Sequence, residues 1–207
     1  MPFDSETGGL NEHTADLLTW YGCIMTEDYQ IVEELYLKLK PDGDRLPIAE
    51  AGALAVNKIN IQQHLADPET ITYSEGRAKL TAMIRRHLKK NGRFSNISPF
   101  GYNVPFDERW TQKHLLPKED WLSMLHYKTV DVMQTVDMLK RAGWLPKTLG
   151  SLGTVVDHLQ LPKRGAHNAK EDTLMTIDVD KSLMNLFKAK KDSAGTTQDL
   201  IALLEAE

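Results

Sequence analysis

Asp4 and Glu6 stand two residues apart in the opening stretch Phe3-Asp4-Ser5-Glu6. On an extended strand, residues i and i+2 project from the same face. Two carboxylates held side by side there repel each other and lose hydration, which a cation between them relieves. An all-oxygen donor pair selects a hard ion such as Mg²⁺ or Mn²⁺. At an exposed strand end the same two acids would simply be solvated. A third acid, Asp107, closes Gly101-Tyr102-Asn103-Val104-Pro105-Phe106-Asp107. Pro105 in a first helical turn sets Asp107 near the positive end of the helix dipole, a place where acids also occur for stability alone. A fourth lies in Ala166-His167-Asn168-Ala169-Lys170-Glu171-Asp172. Asn168 with Glu171 three residues on reads as an N-cap pair, so a helix opens there with Asp172 in its first turn. His167 then falls in the loop before the helix. From a loop it can approach the same site as Asp172, whereas five residues of continuous helix, at about 100° each, would splay the two apart. A loop histidine taken alone is an ordinary surface residue.

Taken together, FDSETGGL, GYNVPFD and HNAKED resemble the three motifs of the DnaQ-like, DEDDh-type 3′-5′ exonucleases, D-x-E-T-x-G-L, G-H-N-x-x-F-D and H-x-A-x-x-D. They occur in the family order, and the resemblance covers residues 3–187. It implies an RNase H-like α/β fold and hydrolysis of phosphodiester bonds at single-stranded 3′ ends of nucleic acid, DNA in first place, with release of nucleoside monophosphates. It implies two divalent ions, Mg²⁺ or Mn²⁺, held by Asp4, Glu6, Asp107 and Asp172, with His167 as general base. It further implies that the Thr7 backbone meets the terminal 3′-hydroxyl and that Gly8 and Gly9 let the chain pass close to the last nucleotide. Leu10 would wedge against the last base, Asn103 would contact phosphate, and Phe106 would pack on a base. The last two apolar residues, Leu10 and Phe106, are equally suited to a core. The chemistry is coherent: two metal ions supply the charge that phosphodiester cleavage needs. A histidine with a pKa of about 6.5 can take a proton from water at neutral pH.

Three departures from the family pattern stand out. Tyr102 replaces a common histidine, at a position that is not a metal ligand. Asn57-Lys58-Ile59-Asn60 replaces a common His-Gly-Ile-Thr, which bears on the loop after the first helix. Only three residues precede Asp4, so the first strand is expected to begin at or next to Pro2.

Within the same chemistry, an exoribonuclease or small-oligonucleotide nuclease is the alternative. A proofreading subunit bound to a polymerase, or to another replication or repair partner, is a second, with residues 198–207 as a docking helix. A catalytically dead nucleic-acid binder is a third, opposed by the presence of all four acids and the histidine. No phosphate-binding loop, nucleophile elbow or dinucleotide fingerprint is present, and the remaining histidines have no ligand spacing. Asp131, in the apolar stretch TVDVMQTVDML, is expected to be solvated, with a supporting role in the site as the alternative.

The elements that must position these residues follow from hydrophobic patterning. Residues 3–6, 17–25 and 30–40 read as three strands of an antiparallel meander: the second is almost continuously apolar, and the third alternates towards its end. Helices are expected at 48–56 behind Pro47, at 75–91 capped by Ser74 and stopped by Gly92, and at 105–116. Further helices are expected up to Gly143, at 152–161 and at 169–190, with a short strand at 97–102. Residues 191–197 read as a linker and 198–207 as a short last helix opened by Thr196-x-x-Asp199. The expectation is an RNase H-like mixed sheet, with three antiparallel strands first and parallel strands after, flanked by helices. One exonuclease domain would occupy 1–190, with an appendage at 191–207.

The 207 residues carry 25 basic and 29 acidic side chains, a formal charge of −4, and a single cysteine. This excludes disulfide-stapled and cysteine-rich zinc scaffolds. No apolar run is long enough to span a bilayer, and the first residues lack the marks of a signal peptide, so a cytoplasmic protein without membrane contact is expected. Seven of the basic residues (Arg77, Lys79, Arg85, Arg86, Lys89, Lys90 and Arg93) fall in one acid-free run. That run is either a solvated helix face or a local polyanion contact.

Overall fold

The computed structural model describes residues 1–91, 94–165 and 167–194. Its spine is a mixed sheet. Strands β1 (Phe3–Thr7), β2 (Leu17–Met25) and β3 (Ile31–Lys40) form the expected antiparallel meander. The short β4 (Thr70–Thr72) adds to β3 in parallel. On the other side of β1, Pro2 bridges Phe100 in parallel, and the Phe100 N–H donates to the Met1 carbonyl at 3.0 Å. This brings in β7 (Phe100–Gly101), which pairs in parallel with β8 (Val130–Asp131). The order across the whole is therefore β4-β3-β2-β1-β7-β8, with β1 in the interior. A separate hairpin joins β5 (Lys90–Asn91) to β6 (Phe94–Ser95).

β2 is apolar almost throughout because it is covered on both faces. Trp20 and Ile24 belong to one core, with Phe3, Leu37, Leu39, Leu80, Ile84, Trp110 and Trp121. Tyr21 and Cys23 belong to the other, with Phe100, Val136, Val155, Val179 and Leu183. The first core is roofed by α3 (Tyr73–His87), α4 (Val104–His114) and α5 (Lys118–Met124). The second is roofed by α6 (Val132–Arg141), α7 (Leu152–His158) and α8 (Ala169–Ala194).

Several boundaries differ from the sequence expectation, each for a visible reason. The helix expected behind Pro47 begins later, as α1 (Ala51–Asn57). Residues 45–50 are instead pinned to the loop after β1. Asp16 takes the Arg45 guanidinium in a two-pronged pair at 2.7 and 2.8 Å and accepts from the Ile48 N–H at 2.6 Å, while the Glu50 N–H donates to the Gly8 carbonyl. α2 (Ile61–Ala66) and β4 were not foreseen; Asn60 caps α2 by accepting from the Gln63 N–H. α3 starts at Tyr73, not 75, because Thr72 and Glu75 form a reciprocal capping box. It stops at His87 rather than running to 91, since Lys90 and Asn91 are taken by the hairpin; Gly92 lies outside the described residues. The strand expected at 97–102 contracts to Phe100–Gly101. The long helix expected up to Gly143 is broken by β8 into α5 and α6. α8 continues through Ala194, past the expected start of a linker, and the helix expected at 198–207 lies outside the described residues. Among the described residues no helix is long and apolar enough to cross a membrane.

One buried chain of hydrogen bonds ties the first core to the motif around Asp107. The Trp20 indole N–H donates to Thr111 Oγ1 at 3.1 Å, and that hydroxyl donates to the Asp107 carbonyl at 2.8 Å. Thr111→Val keeps the volume but leaves the Trp20 N–H unpaired among apolar neighbours, a cost of about 1–3 kcal/mol. The expected result is a lower urea midpoint with an unchanged slope.

Candidate active site

β1 alternates between the two cores. Phe3 packs in the first core, and Asp4, directly across from Tyr21, faces the second, as does Glu6. α8 begins over that face. Its first turn carries Asp172, and Asp4, Glu6 and Asp172 can present carboxylate oxygens within 4.8 Å of one another. The start of α8 follows the sequence expectation: Asn168 Oδ1 accepts from the Lys170 and Glu171 N–H groups. His167 precedes it in the left-handed conformation (φ 63°), solvent-exposed, with its N–H donated to Asp172 Oδ2 at 3.1 Å.

Asp107 arrives from a different direction. Asn103 adopts the left-handed conformation (φ 64°, ψ 47°), which asparagine tolerates better than most residues, and so turns the chain from β7 into α4. Asp107 is then buried in the first turn, where the Ser5 hydroxyl donates to its Oδ1 at 2.5 Å. Ser5, between the two acids of β1, thus holds the fourth. Asp131 matters here as well, and it is not the solvated residue expected. It is buried at the N-terminus of α6, and its Oδ1 accepts from both the Asn103 N–H (2.9 Å) and the Met133 N–H (3.1 Å). Inside what reads as a continuous helical stretch, its place at a helix N-terminus carried no local signal.

The electrostatics of the group are those of uncompensated negative charge. Burial raises the Asp4 carboxyl well above the carboxylate range, and the charges of Asp107, Asp172 and Glu6 raise it further. Burial, then Asp172 and Asp107, push Glu6 up to about 8. Burial raises Asp107 against the pull of the Ser5 hydrogen bond, and raises Asp172 against the His167 N–H. Among the described residues none of the four is ion-paired. The donor set is all oxygen, clustered and short of positive charge, so the residues fit a hard metal ion.

Two clefts flank the carboxylates. One, of about 400 Å³, is walled by Glu6, Thr7, Gly9, Leu10, Ala53, Val56, Asn57 and Phe106. The other, of about 530 Å³, holds Asp4, Asp172 and His167 opposite Tyr102, Thr154, Lys163 and Arg164. Leu10 is 81% exposed, so it has no core role. Phe106 packs on the Trp110 ring and also lines the cleft, with the Arg109 guanidinium 5.5 Å above it. Thr7 is buried, its hydroxyl donating to the Gly9 carbonyl at 2.7 Å. Gly8 serves the chain's own backbone, since a Cβ there would lie 2.4 Å from the Ile48 carbonyl oxygen. The departing segment 57–60 is structural. Asn57 is buried and donates to the Thr7 carbonyl at 3.0 Å, Lys58 takes the left-handed C-cap of α1, and Asn60 caps α2. Asn57 was missed as a site-supporting residue, its position having been read only as a departure in a loop.

A mixed sheet with an interior β1 bearing acids at alternate positions, and with helices on both faces, is the α/β architecture of the RNase H-like fold. Solved structures share this fold. E. coli Exonuclease I in complex with a dT13 oligonucleotide superposes with a TM-score of 0.66 at 20% identity, over 97% of this chain and 44% of that one. A moderately thermophilic Exonuclease I from Methylocaldum szegediense gives 0.67 at 18%, over 98% and 44%. The zinc ion-bound form of the E. coli ExoI–ssDNA complex gives 0.65 at 22%, over 97% and 44%. The likeness is one of fold, and this chain spans less than half the length of those chains. No family model and no curated protein matches the sequence.

A raised carboxyl pKa in the fold means that the native state holds protons the unfolded chain has released. Stability from such groups is complete below the unfolded values, 3.8 for Asp and 4.5 for Glu, and is lost as pH rises towards about 8 for Glu6. Glu33, held down to about 2 by Arg86 and His87, titrates below this window. In EDTA the contribution of these acids to the melting temperature should therefore fall between pH 5 and pH 8, opposed over the same range by the Met1 ammonium and His114, which burial lowers to about 5 and about 4. Glu6→Gln should flatten that fall, and Mn²⁺ should restore stability most at the upper end, all by differential scanning calorimetry.

Proposed function

We propose that the protein is a divalent-metal-dependent 3′-5′ exonuclease that hydrolyses single strands from their 3′ ends, DNA in first place, and releases nucleoside monophosphates. The observation that carries this reading is the meeting of Asp4, Glu6 and Asp172 within 4.8 Å, with His167 lining the same cleft as two of them. The single-stranded oligonucleotides named with the Exonuclease I structures support the choice of substrate.

Asp4, Glu6, Asp107 and Asp172 would hold two Mg²⁺ or Mn²⁺ ions. When bound, these supply the positive charge that activates water and neutralises the leaving 3′-oxygen. The chain's own residues do the rest. His167, in a loop and exposed, accepts the proton of the attacking water on a ring nitrogen and passes it to solvent. Leu10 and Phe106 offer apolar surface to the terminal base, and the backbone of Thr7 and Gly9 borders the same cleft. Asn103, exposed at its turn, offers an amide to phosphate.

The test uses 5′-labelled single-stranded DNA, single-stranded RNA and blunt duplex, each with Mg²⁺, Mn²⁺ or EDTA. A ladder shortening from the 3′ end of the single strand, absent in EDTA, is expected. An RNA ladder outpacing the DNA ladder would move the protein to the exoribonucleases, and no cleavage under any condition would overturn the reading. Asp4→Ala and Asp172→Ala should abolish cleavage while preserving the fold.

His167→Ala separates a base from a ligand. Turnover should fall by about 10²–10⁴-fold, the usual contribution of a positioned base. Mn²⁺ affinity, read by calorimetry, should hardly change, because oxygens carry the ions. Loss of Mn²⁺ binding, or unchanged turnover at neutral pH, would remove His167 from this role.

A further inference from the structure

Residues 76–106 contain no acid, and neither do residues 121–130. The fold brings these two stretches together where the β5–β6 hairpin meets the segment between α5 and β8. Phe94 on β6 packs against His126 and Tyr127, both ring centroids 5.6 Å away, and His126 stacks on Tyr127 at 4.8 Å and 21°. The His126 backbone N–H donates to the Ile97 carbonyl at 2.7 Å, and its ring Nδ1 accepts from the Lys128 N–H at 2.9 Å, so backbone and ring are each tied by one bond. This group stays open to solvent: Phe94 is 38% exposed and Tyr127 58%. Around it stand exposed cations. Lys90 pairs with Ser95 across the hairpin, Lys89 exchanges hydrogen bonds with Asn96, and the Lys128 ammonium lies 5.9 Å from the Tyr127 ring centre. Among the described residues Lys89, Lys90 and Lys128 have no acidic partner, whereas Arg86 is taken by Glu33 at 3.2 Å. None of these residues lines either cleft beside the carboxylates.

Partly exposed aromatic rings beside lysines without acidic partners among the described residues match one kind of ligand. A single-stranded nucleic acid presents unstacked bases to the rings and phosphates to the ammonium groups. A duplex hides its bases and offers phosphates alone. We propose that Phe94, His126 and Tyr127, with Lys89, Lys90 and Lys128, form a stacking platform for single-stranded nucleic acid, separate from the catalytic clefts. It engages a stretch of strand other than the terminal nucleotide. The identity of the ligand rests on the nuclease reading; the platform's geometry does not.

The experiment measures binding without cleavage, by fluorescence anisotropy of labelled oligothymidylates on the Asp4→Asn protein in EDTA. Strands of about 4 and about 20 nucleotides lie at and beyond the usual span of such sites. Tyr127→Ala, and separately the exposed pair Lys89→Ala with Lys90→Ala, should each weaken binding of the long strand by about tenfold. Binding of the short strand should be unchanged, and so should its cleavage rate when the substitutions are made in the wild-type enzyme. Tyr127→Phe keeps a ring and should bind as the parent does, which separates stacking from loss of fold. Long-strand affinity unaffected by the lysine pair, or duplex bound as tightly as single strand, would overturn the platform. Cleavage without any of these binding effects defeats the platform alone. The binding effects without cleavage of any substrate defeat the nuclease reading alone.

Discussion

The structure is organised around a repulsion that the fold is stiff enough to contain. Asp4 and Glu6 cannot move apart, because β1 is hydrogen-bonded to β2 on one side and bridged to β7 on the other, with cores on both of its faces. Asp172 is brought to the same place by α8, whose later turns contribute Val179 and Leu183 to the second core. Burial deprives the three of water, and among the described residues no cation answers them. Every carboxyl in the group consequently has its pKa raised. A cluster of this kind persists only when the surrounding packing over-determines it, and it creates a demand for positive charge at one defined place.

Satisfying that demand usefully requires the other two motifs to arrive with fixed geometry, and small polar interactions supply it. Asp131 receives the Asn103 N–H and so fixes the left-handed turn between β7 and α4. Ser5 reaches from β1 to Asp107, so that strand and helix are registered by one short hydrogen bond beside the site. Thr111 continues the link from Asp107 to Trp20 in the core. At the third motif, Asn168 caps α8 and His167 is left outside the helix, tethered only through its backbone to Asp172. On the proposed reading, the exposed imidazole is the group that carries the proton, while the carboxylates, fixed by strand and helix, hold the ions.

Much of this was legible because the informative residues are local. The i, i+2 spacing of Asp4 and Glu6, the Pro105 turn before Asp107 and the Asn168 cap each encode a short-range geometry that survives in the fold. The meander was legible too, since β2 is apolar on both faces and β3 alternates. What escaped depends on partners distant in sequence. Residues 47–50 have the composition of a helix start, yet Asp16 and Gly8 hold their backbone extended. Residues 130–131 sit in a helical pattern, yet pairing with β7 makes them a strand. Asp131 looked solvated because the two backbone N–H groups it serves, one of them 28 residues away, leave no trace in the local pattern.

The two clefts differ in chemistry in a way that fits division of labour around a single scissile bond. The cleft beside Glu6 is walled by Leu10, Ala53, Val56 and Phe106, apolar surface against which a base loses little by leaving water. The cleft beside Asp4 adds His167, Thr154, Lys163 and Arg164 to an apolar lining that includes Leu152, Val156 and Met175. On the proposed reading, the strand end is held on the first side while water and the departing proton use the second. On the same reading, the exposed Leu10 stands at the side of the cleft where the strand end enters.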